Sequence, residues 1–215
     1  QMKIKFNVKS TCIYNPLENI NYLKKLATKK INFNYFKSKQ LKIITVGRLV
    51  KQKDHITLLK AMNILSKKIK FKLLIMGNGE EKNNIINFLK KNKLYKSVKI
   101  IPYQKNPYPY INQSNLFILS SLYEGLPNVL LEALALKKFI ISSNCPSGPK
   151  EILANQKYGE LFEVKNYKQL SKKIEYFYNN KKKFNKKISL GYKSLNRFNF
   201  KNKCNLYLDI VKKYL

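Results

Sequence analysis

From residue 41 onward, short apolar runs alternate with longer stretches in which apolar residues recur every three or four positions. The runs are Leu41–Gly47, Lys72–Gly77, Val98–Pro102, Asn115–Ser120 and Lys138–Ser143. Each is rich in Ile, Leu, Val and Phe with little polar alternation, which predicts strands buried on both faces, as in a parallel sheet. The stretches between them predict helices. His55–Lys68 carries Ile56, Leu59, Met62 and Leu65 near the helical period, and Asp54 is placed to cap it. Glu80–Asn92 repeats the pattern through Ile85, Ile86 and Leu89. Pro107–Gln113 and Glu151–Asn155 predict shorter helices. Asn128–Leu136 predicts a compact apolar helix introduced by Pro127, a residue suited to a first turn. Tyr167–Asn179 and Phe200–Tyr214 predict amphipathic helices near the end of the chain.

Strand and helix in alternation imply βαβ units and a Rossmann-like, doubly wound α/β fold. The first 37 residues stand outside that rhythm. Lys3–Val8 and Cys12–Tyr14 predict strands, and Asn15-Pro16 a turn, so residues 1–37 read as the tail and linker of a preceding domain. Residues 38–190 form the α/β domain, and residues 191–215 a closing helical segment. The chain opens with Gln1, and we expect it to begin partway through a longer protein.

Composition alters the picture in one respect. The formal charge is +33, which ordinarily suggests nucleic acid or an anionic membrane. Nearly all of it is lysine, however, with Arg48 and Arg197 the only arginines. Specific nucleic-acid readers lean on arginine for forked contacts to bases, so no specific nucleic-acid partner is expected. Peripheral contact with an anionic membrane surface fits better, because lipids attract lysine non-specifically. No apolar run reaches the ~20 residues of a membrane span. Cys12, Cys145 and Cys204 are far apart and form no paired motif, which points to a reduced, cytoplasmic chain without disulfides or zinc. The one histidine, His55, reads as a first-turn helix residue rather than a base.

In open α/β sheets ligands bind beyond the carboxyl ends of the strands. The first predicted strand is followed by Gly47, Arg48 and then Lys53. The second leads into Gly77-Asn78-Gly79, and the third ends at Ile101 before Pro102-Tyr103. The fourth leads into Glu124-Gly125-Leu126-Pro127-Asn128-Val129, and the fifth into Ser147-Gly148. Glycines, two cations and a carboxylate thus share one rim. A guanidinium fork matches phosphate oxygens, and Lys53 adds a second positive point. The start of the helix at Asn128 offers free amides and a dipole to an anion. Glu132 sits four residues further along, among Val129, Leu130, Leu131 and Ala133. A carboxylate in so apolar a helix needs partners, and two ribose hydroxyls would satisfy it. Gly77-Asn78-Gly79 lacks the third glycine of a dinucleotide fingerprint, because Lys82 holds its place. It fits either a tight turn or close approach to a ligand. Tyr103, Tyr108 and Tyr110, interleaved with prolines, fit either a stacked nucleobase or a packed loop.

These residues resemble the GT4-type retaining glycosyltransferases, that is, the glycosyl transferases of group 1. Glu124 and Glu132, with seven residues between them, are similar to that family's paired-glutamate motif. Val46-Gly47-Arg48-Leu49, Lys53-Asp54, Met76-Gly77-Asn78-Gly79 and Ser147-Gly148-Pro149-Lys150-Glu151 agree in order, and the likeness runs from about residue 12 to 180. It implies the C-terminal, donor-binding half of a GT-B fold, with residues 1–37 including a remnant of the acceptor domain. It implies that Arg48 and Lys53 hold the diphosphate, that Glu132 binds the ribose and that Glu124 contacts the donor sugar. Gly47, Gly77 and the segment Gly125, Leu126, Pro127, Asn128 and Val129 would line the donor, and Ile101 and Tyr103 the base.

The expected reaction, by that resemblance, is transfer of a hexose or N-acetylhexosamine from a nucleotide sugar, a UDP-sugar first, with retention. The acceptor would be a glycan or lipid-linked molecule, as in surface polysaccharide and lipopolysaccharide synthesis. Neither a cofactor nor a metal is expected. The last helix resembles the one that crosses back to the acceptor domain, and it would expose Leu206, Ile210 and Val211. Two other readings compete. One is a non-enzymatic basic module that binds anionic membrane or nucleic acid. The other is a nucleotide-sugar epimerase, which needs further acid and base residues.

Overall fold

The computed structural model describes residues 13–37 and 39–212. Its strands are β1 (Leu41–Val46), β2 (Phe71–Met76), β3 (Val98–Ile101), β4 (Leu116–Leu119), β5 (Phe139–Ser143) and β6 (Glu160–Phe162). Its α-helices are α1 (Ile20–Ala27), α2 (His55–Leu65), α3 (Lys82–Lys91), α4 (Tyr108–Gln113), α5 (Asn128–Ala135), α6 (Pro149–Ile152), α7 (Tyr167–Asn179), α8 (Asn185–Lys193) and α9 (Phe200–Val211). The strands form one sheet in the order β3-β2-β1-β4-β5-β6, and every pairing is parallel. The chain winds out from β1 to one edge, returns to β4 and winds out to the other edge. The doubly wound α/β architecture expected from the sequence is present.

The continuous apolar runs arise because both faces of the sheet are covered. Side chains alternate across a strand. Ile43, Leu73, Ile75, Ile118 and Ile141 therefore enter one core, while Ile44, Leu74, Met76, Phe117 and Ile140 enter the other. Each such side chain, fully buried, contributes roughly 1.5–3 kcal/mol. Helices α2, α3 and α7 cover the first face, and α1, α4 and α5 the second. Phe139 fixes α7 against β5 by stacking on Phe177, with ring centres 4.7 Å apart and planes 7° from parallel.

Several local expectations change. Asp54 caps α2 through Thr57, whose amide and hydroxyl both donate to its carboxylate, but it does so in a left-handed conformation at φ 41°. Pro127 occupies the cap position of α5 rather than its first turn. The short helix expected at Glu151–Asn155 lies earlier, at Pro149–Ile152. Pro149 presets its first turn, and three consecutive left-handed residues, Ala154, Asn155 and Gln156, end it. β6, α1 and α8 were not expected. β6 has only three residues, too few to show a pattern.

The segment from Leu17 to Phe36, expected to be linker, joins the second core through Leu17, Leu23, Ala27 and Phe36. The Leu17 amide donates to the Phe198 carbonyl at 2.8 Å, which ties this initial segment to the chain just ahead of α9. Ile13 and Tyr14 form no strand. The strand expected at residues 3–8, Cys12 and the last three residues lie outside the described part. Helix α9 buries none of its side chains. Leu206 and Val211 are exposed as expected, whereas Ile210 is partly covered.

Candidate functional site

The strand order reverses between β1 and β4, the place at which open α/β sheets bind ligands, and the loops that follow these two strands meet there. The loop after β1 keeps hydrogen bonding to its neighbour beyond the strand. Gly47 N–H donates to the Met76 carbonyl at 3.0 Å and Leu49 N–H to the Asn78 carbonyl at 2.7 Å. Gly77 lies in this zipper at φ +152°, and a Cβ there would come within 1.9 Å of the Gly47 carbonyl oxygen. Contact between two backbones accounts for Gly77, so Gly77-Asn78-Gly79 needs no bound ligand to explain it.

Between these loops Lys53 Nζ pairs with Glu124 Oε1 at 2.5 Å. The lysine side chain is 16% exposed and the glutamate side chain 7%. Ser121 Oγ donates to the same carboxylate oxygen at 2.6 Å. The surrounding backbone is held in turn. Ser120 Oγ donates to the Lys53 carbonyl at 2.9 Å, and Ser143 Oγ to the Ser121 carbonyl at 2.6 Å. Gln52 grips the loop after β4 twice, accepting from Leu122 N–H at 2.8 Å and donating to the Tyr123 carbonyl at 2.9 Å. The loop after β5 presses on the same region. Gly148, at φ +74°, lies so close that a Cβ would come within 2.0 Å of the Gly125 carbonyl oxygen.

Helix α5 starts at Asn128 without a side-chain cap. Leu130 N–H bonds to the Pro127 carbonyl at 2.9 Å, and the amides of Asn128 and Val129 have no partner among the described residues. Gly125, Leu126 and Pro127 lead into this end. Glu132, one turn inside, accepts from the Tyr108 hydroxyl at 3.4 Å. Burial pushes its carboxyl above the usual range, and the Tyr108 bond partly offsets this. Burial, and Glu132 after it, push the Tyr108 hydroxyl up to about 12. Tyr108 is thus tied to Glu132, while Tyr110 packs edge-on against Phe33 at 4.9 Å. Tyr103, at the end of β3 after Ile101, is 67% exposed, with its amide bonded to Asn78 Oδ1 at 3.3 Å.

The two arginines have different surroundings. Arg197 spends its fork on the backbone, donating to the carbonyls of Ser194, Glu151 and Ile152. Arg48 is exposed and makes no hydrogen bond or ion pair within the described residues. His55 is buried, its Nδ1 lacks a hydrogen-bond partner, and burial with the nearby Lys53 charge pushes it down to about 4. It is therefore neutral near pH 7, as suits a structural first-turn residue.

The structure thus joins Lys53 to Glu124 and leaves Glu132 on a separate contact with Tyr108. Sequence reasoning missed Ser121, Gln52 and the Tyr108 partnership. The three-residue spacing from Ser121 to Glu124 within one loop was a usable signal. Nothing local linked Tyr108 to Glu132. Among the described residues no helix is long and apolar enough to cross a membrane.

Comparison with known proteins agrees with this architecture. The family model described as glycosyl transferases group 1 matches residues 27–194. An uncharacterized glycosyltransferase of Methanocaldococcus jannaschii is 37% identical over 139 residues, which is 64% of this chain and 32% of that protein. An N-acetylgalactosamine-N,N'-diacetylbacillosaminyl-diphospho-undecaprenol 4-alpha-N-acetylgalactosaminyltransferase of Campylobacter jejuni is 35% identical over 124 residues, 58% of this chain and 33% of that protein. The matched stretch therefore spans about a third of these curated relatives. Among solved structures, a glycosyltransferase from Rickettsia africae superposes with a TM-score of 0.85 at 20% identity, covering 99% of this chain and 60% of that one. Staphylococcus aureus TarM, in a complex that includes UDP, superposes with a TM-score of 0.80 at 20% identity, covering 96% of this chain and 40% of that one.

Proposed function

Because the chain belongs to the glycosyl transferases group 1 family, we propose that it is the donor-binding half of a retaining sugar transferase that uses a nucleotide sugar. The observation that carries this reading is the contact of Lys53 with Glu124 at the reversal of strand order, in the loop that runs on into the uncapped start of α5. In this reading the diphosphate lies over the free amides of Asn128 and Val129, clasped by Lys53 and by the unengaged fork of Arg48. As the bond from the sugar's anomeric carbon to the phosphate oxygen breaks, negative charge grows on the diphosphate. Cations and oriented amides already in place stabilise that charge, so the reading includes no metal.

Glu132 accepts from the ribose hydroxyls, and the backbone at Ile101 and the exposed ring of Tyr103 meet the base. Gly47, Gly77 and Gly125 to Pro127 form the floor. Glu124 accepts from a hydroxyl of the sugar. A uridine donor is in keeping with the UDP in the TarM complex, and an N-acetylhexosamine with the Campylobacter jejuni transferase. The acceptor in this reading is a glycan or lipid-linked molecule. The lysine-rich surface motivates a cytoplasmic enzyme peripheral to an anionic membrane. Helix α9, which leaves Leu206 and Val211 exposed, leads to an acceptor-binding domain.

A thermal-shift series with UDP, GDP and ADP and their sugars tests the reading. A rise in melting temperature with one nucleotide and its sugar, lost in Arg48→Ala, is the expected result. No stabilisation by any of them sinks it.

A further inference from the structure

Two donors converge on one atom of Glu124. Ser121 Oγ reaches Oε1 at 2.6 Å, and Lys53 Nζ reaches the same oxygen at 2.5 Å. No bond among the described residues ends on Oε2. That oxygen is not sealed from solvent either, because His55 Nδ1 is the one fully buried, unpartnered side-chain N or O atom among them. The carboxylate is thus anchored by one oxygen and leaves the other open to solvent.

The two anchors differ in freedom. Lys53 is a cation on a flexible four-carbon stem. Ser121 is fully buried, and its carbonyl is pinned by Ser143 Oγ at 2.6 Å. The next residues, Leu122 and Tyr123, are both tied to Gln52. A diphosphate carries more negative charge than one carboxylate, so a bound donor draws the Lys53 ammonium toward itself. Glu124 then loses its cation but keeps the serine.

We infer that Ser121 is a positioning residue, which holds Oε1 so that Oε2 faces the donor sugar both before and after Lys53 turns to the diphosphate. This rests on the donor-binding reading above and adds the residue that orients its sugar-contacting carboxylate. Ser121 acts only through Glu124, so its effect is confined to the sugar part of the donor. The nucleotide diphosphate alone does not sense it.

Calorimetric titration of the chain with UDP and with the UDP-sugar that stabilises it most tests this. Ser121→Ala is expected to lose about tenfold in affinity for the UDP-sugar, the scale of one charge-assisted hydrogen bond. Its affinity for UDP stays within about twofold, and in a Glu124→Ala background Ser121→Ala costs nothing further. Ser121→Thr, which keeps the hydroxyl, restores most of the lost affinity. Ser121→Cys, close in size and a weak donor, repeats the measurement should the alanine variant fail to fold. Equal losses for UDP and UDP-sugar, or additivity with Glu124→Ala, overturn the role of Ser121. Failure of the wild type to bind either ligand overturns the donor-binding reading itself.

Discussion

Lys53 and Glu124, 71 positions apart in the chain, meet at 2.5 Å across the seam between the β1 and β4 units. Both are largely withdrawn from solvent, and an uncompensated buried charge is costly. Removing Lys53 alone should therefore destabilise the fold by about 3 kcal/mol. The double variant Lys53→Met, Glu124→Gln should lose less than the sum of its parts. Guanidinium denaturation of the four proteins checks this, and strict additivity would show that the pair contributes nothing as a pair.

Arg48 should behave in the opposite way. It is exposed and makes no bond within the described residues, so Arg48→Ala should leave stability within about 0.5 kcal/mol of wild type. Affinity for a nucleotide diphosphate should fall by about tenfold or more, as expected for a lost charge-assisted contact. Arg48→Lys should recover only part of the loss, because an ammonium lacks the planar fork. A large fall in melting temperature without ligand would mean that Arg48 serves the fold instead.

The bond from Tyr108 to Glu132 can be tested by removing a single oxygen. Tyr108→Phe keeps the ring and should cost about 1 kcal/mol or less. Burial raises the Glu132 carboxyl and the Tyr108 hydroxyl draws it partly back, so its titration midpoint should move higher in the variant. Carbon-detected NMR of the labelled side chain reads this directly. An unchanged midpoint would mean the hydroxyl does not reach the carboxylate in solution.

His55 gives a pH dependence with a definite sign. Its pKa is lowered from 6.5 to about 4, by burial first and Lys53 second. The folded state thus holds the neutral form, while the unfolded chain takes up a proton below 6.5. The associated stability is complete above pH 6.5 and is lost as pH falls toward 4, by about 3 kcal/mol in all. In His55→Leu that part of the acid loss should vanish, and the apolar replacement leaves no orphaned nitrogen. Denaturation midpoints at pH 7, 5.5 and 4.5 compare the two proteins.

Much of the fold was legible because it is written in local pattern. The apolar runs marked β1 to β5, since strands covered on both faces carry no polar alternation. Asp54 and the Pro127-Asn128 step marked the starts of α2 and α5. Helix α1 was missed although Asn19 caps it through the amides of Asn21 and Tyr22. Its short apolar stripe, Leu23 and Ala27, resembles a linker until the second core is seen closing over it. Helix α8 was missed because Asn185, Ser189 and an internal Gly191 are weak helix formers.

The sequence by itself determined which residue types stand at the strand ends: Arg48 and Lys53 after one, Glu124 and the start of α5 after another. It could not decide which of them touch. That depends on strand order, because β1 and β4 become neighbours only when the chain returns from β3 to the middle of the sheet. Only the tertiary structure therefore seated Ser121 and Lys53 on one oxygen of Glu124, set Tyr108 against Glu132 and left the Arg48 fork unengaged. Contacts across 24 or 71 positions are fixed by pairing and packing, to which local periodicity is blind.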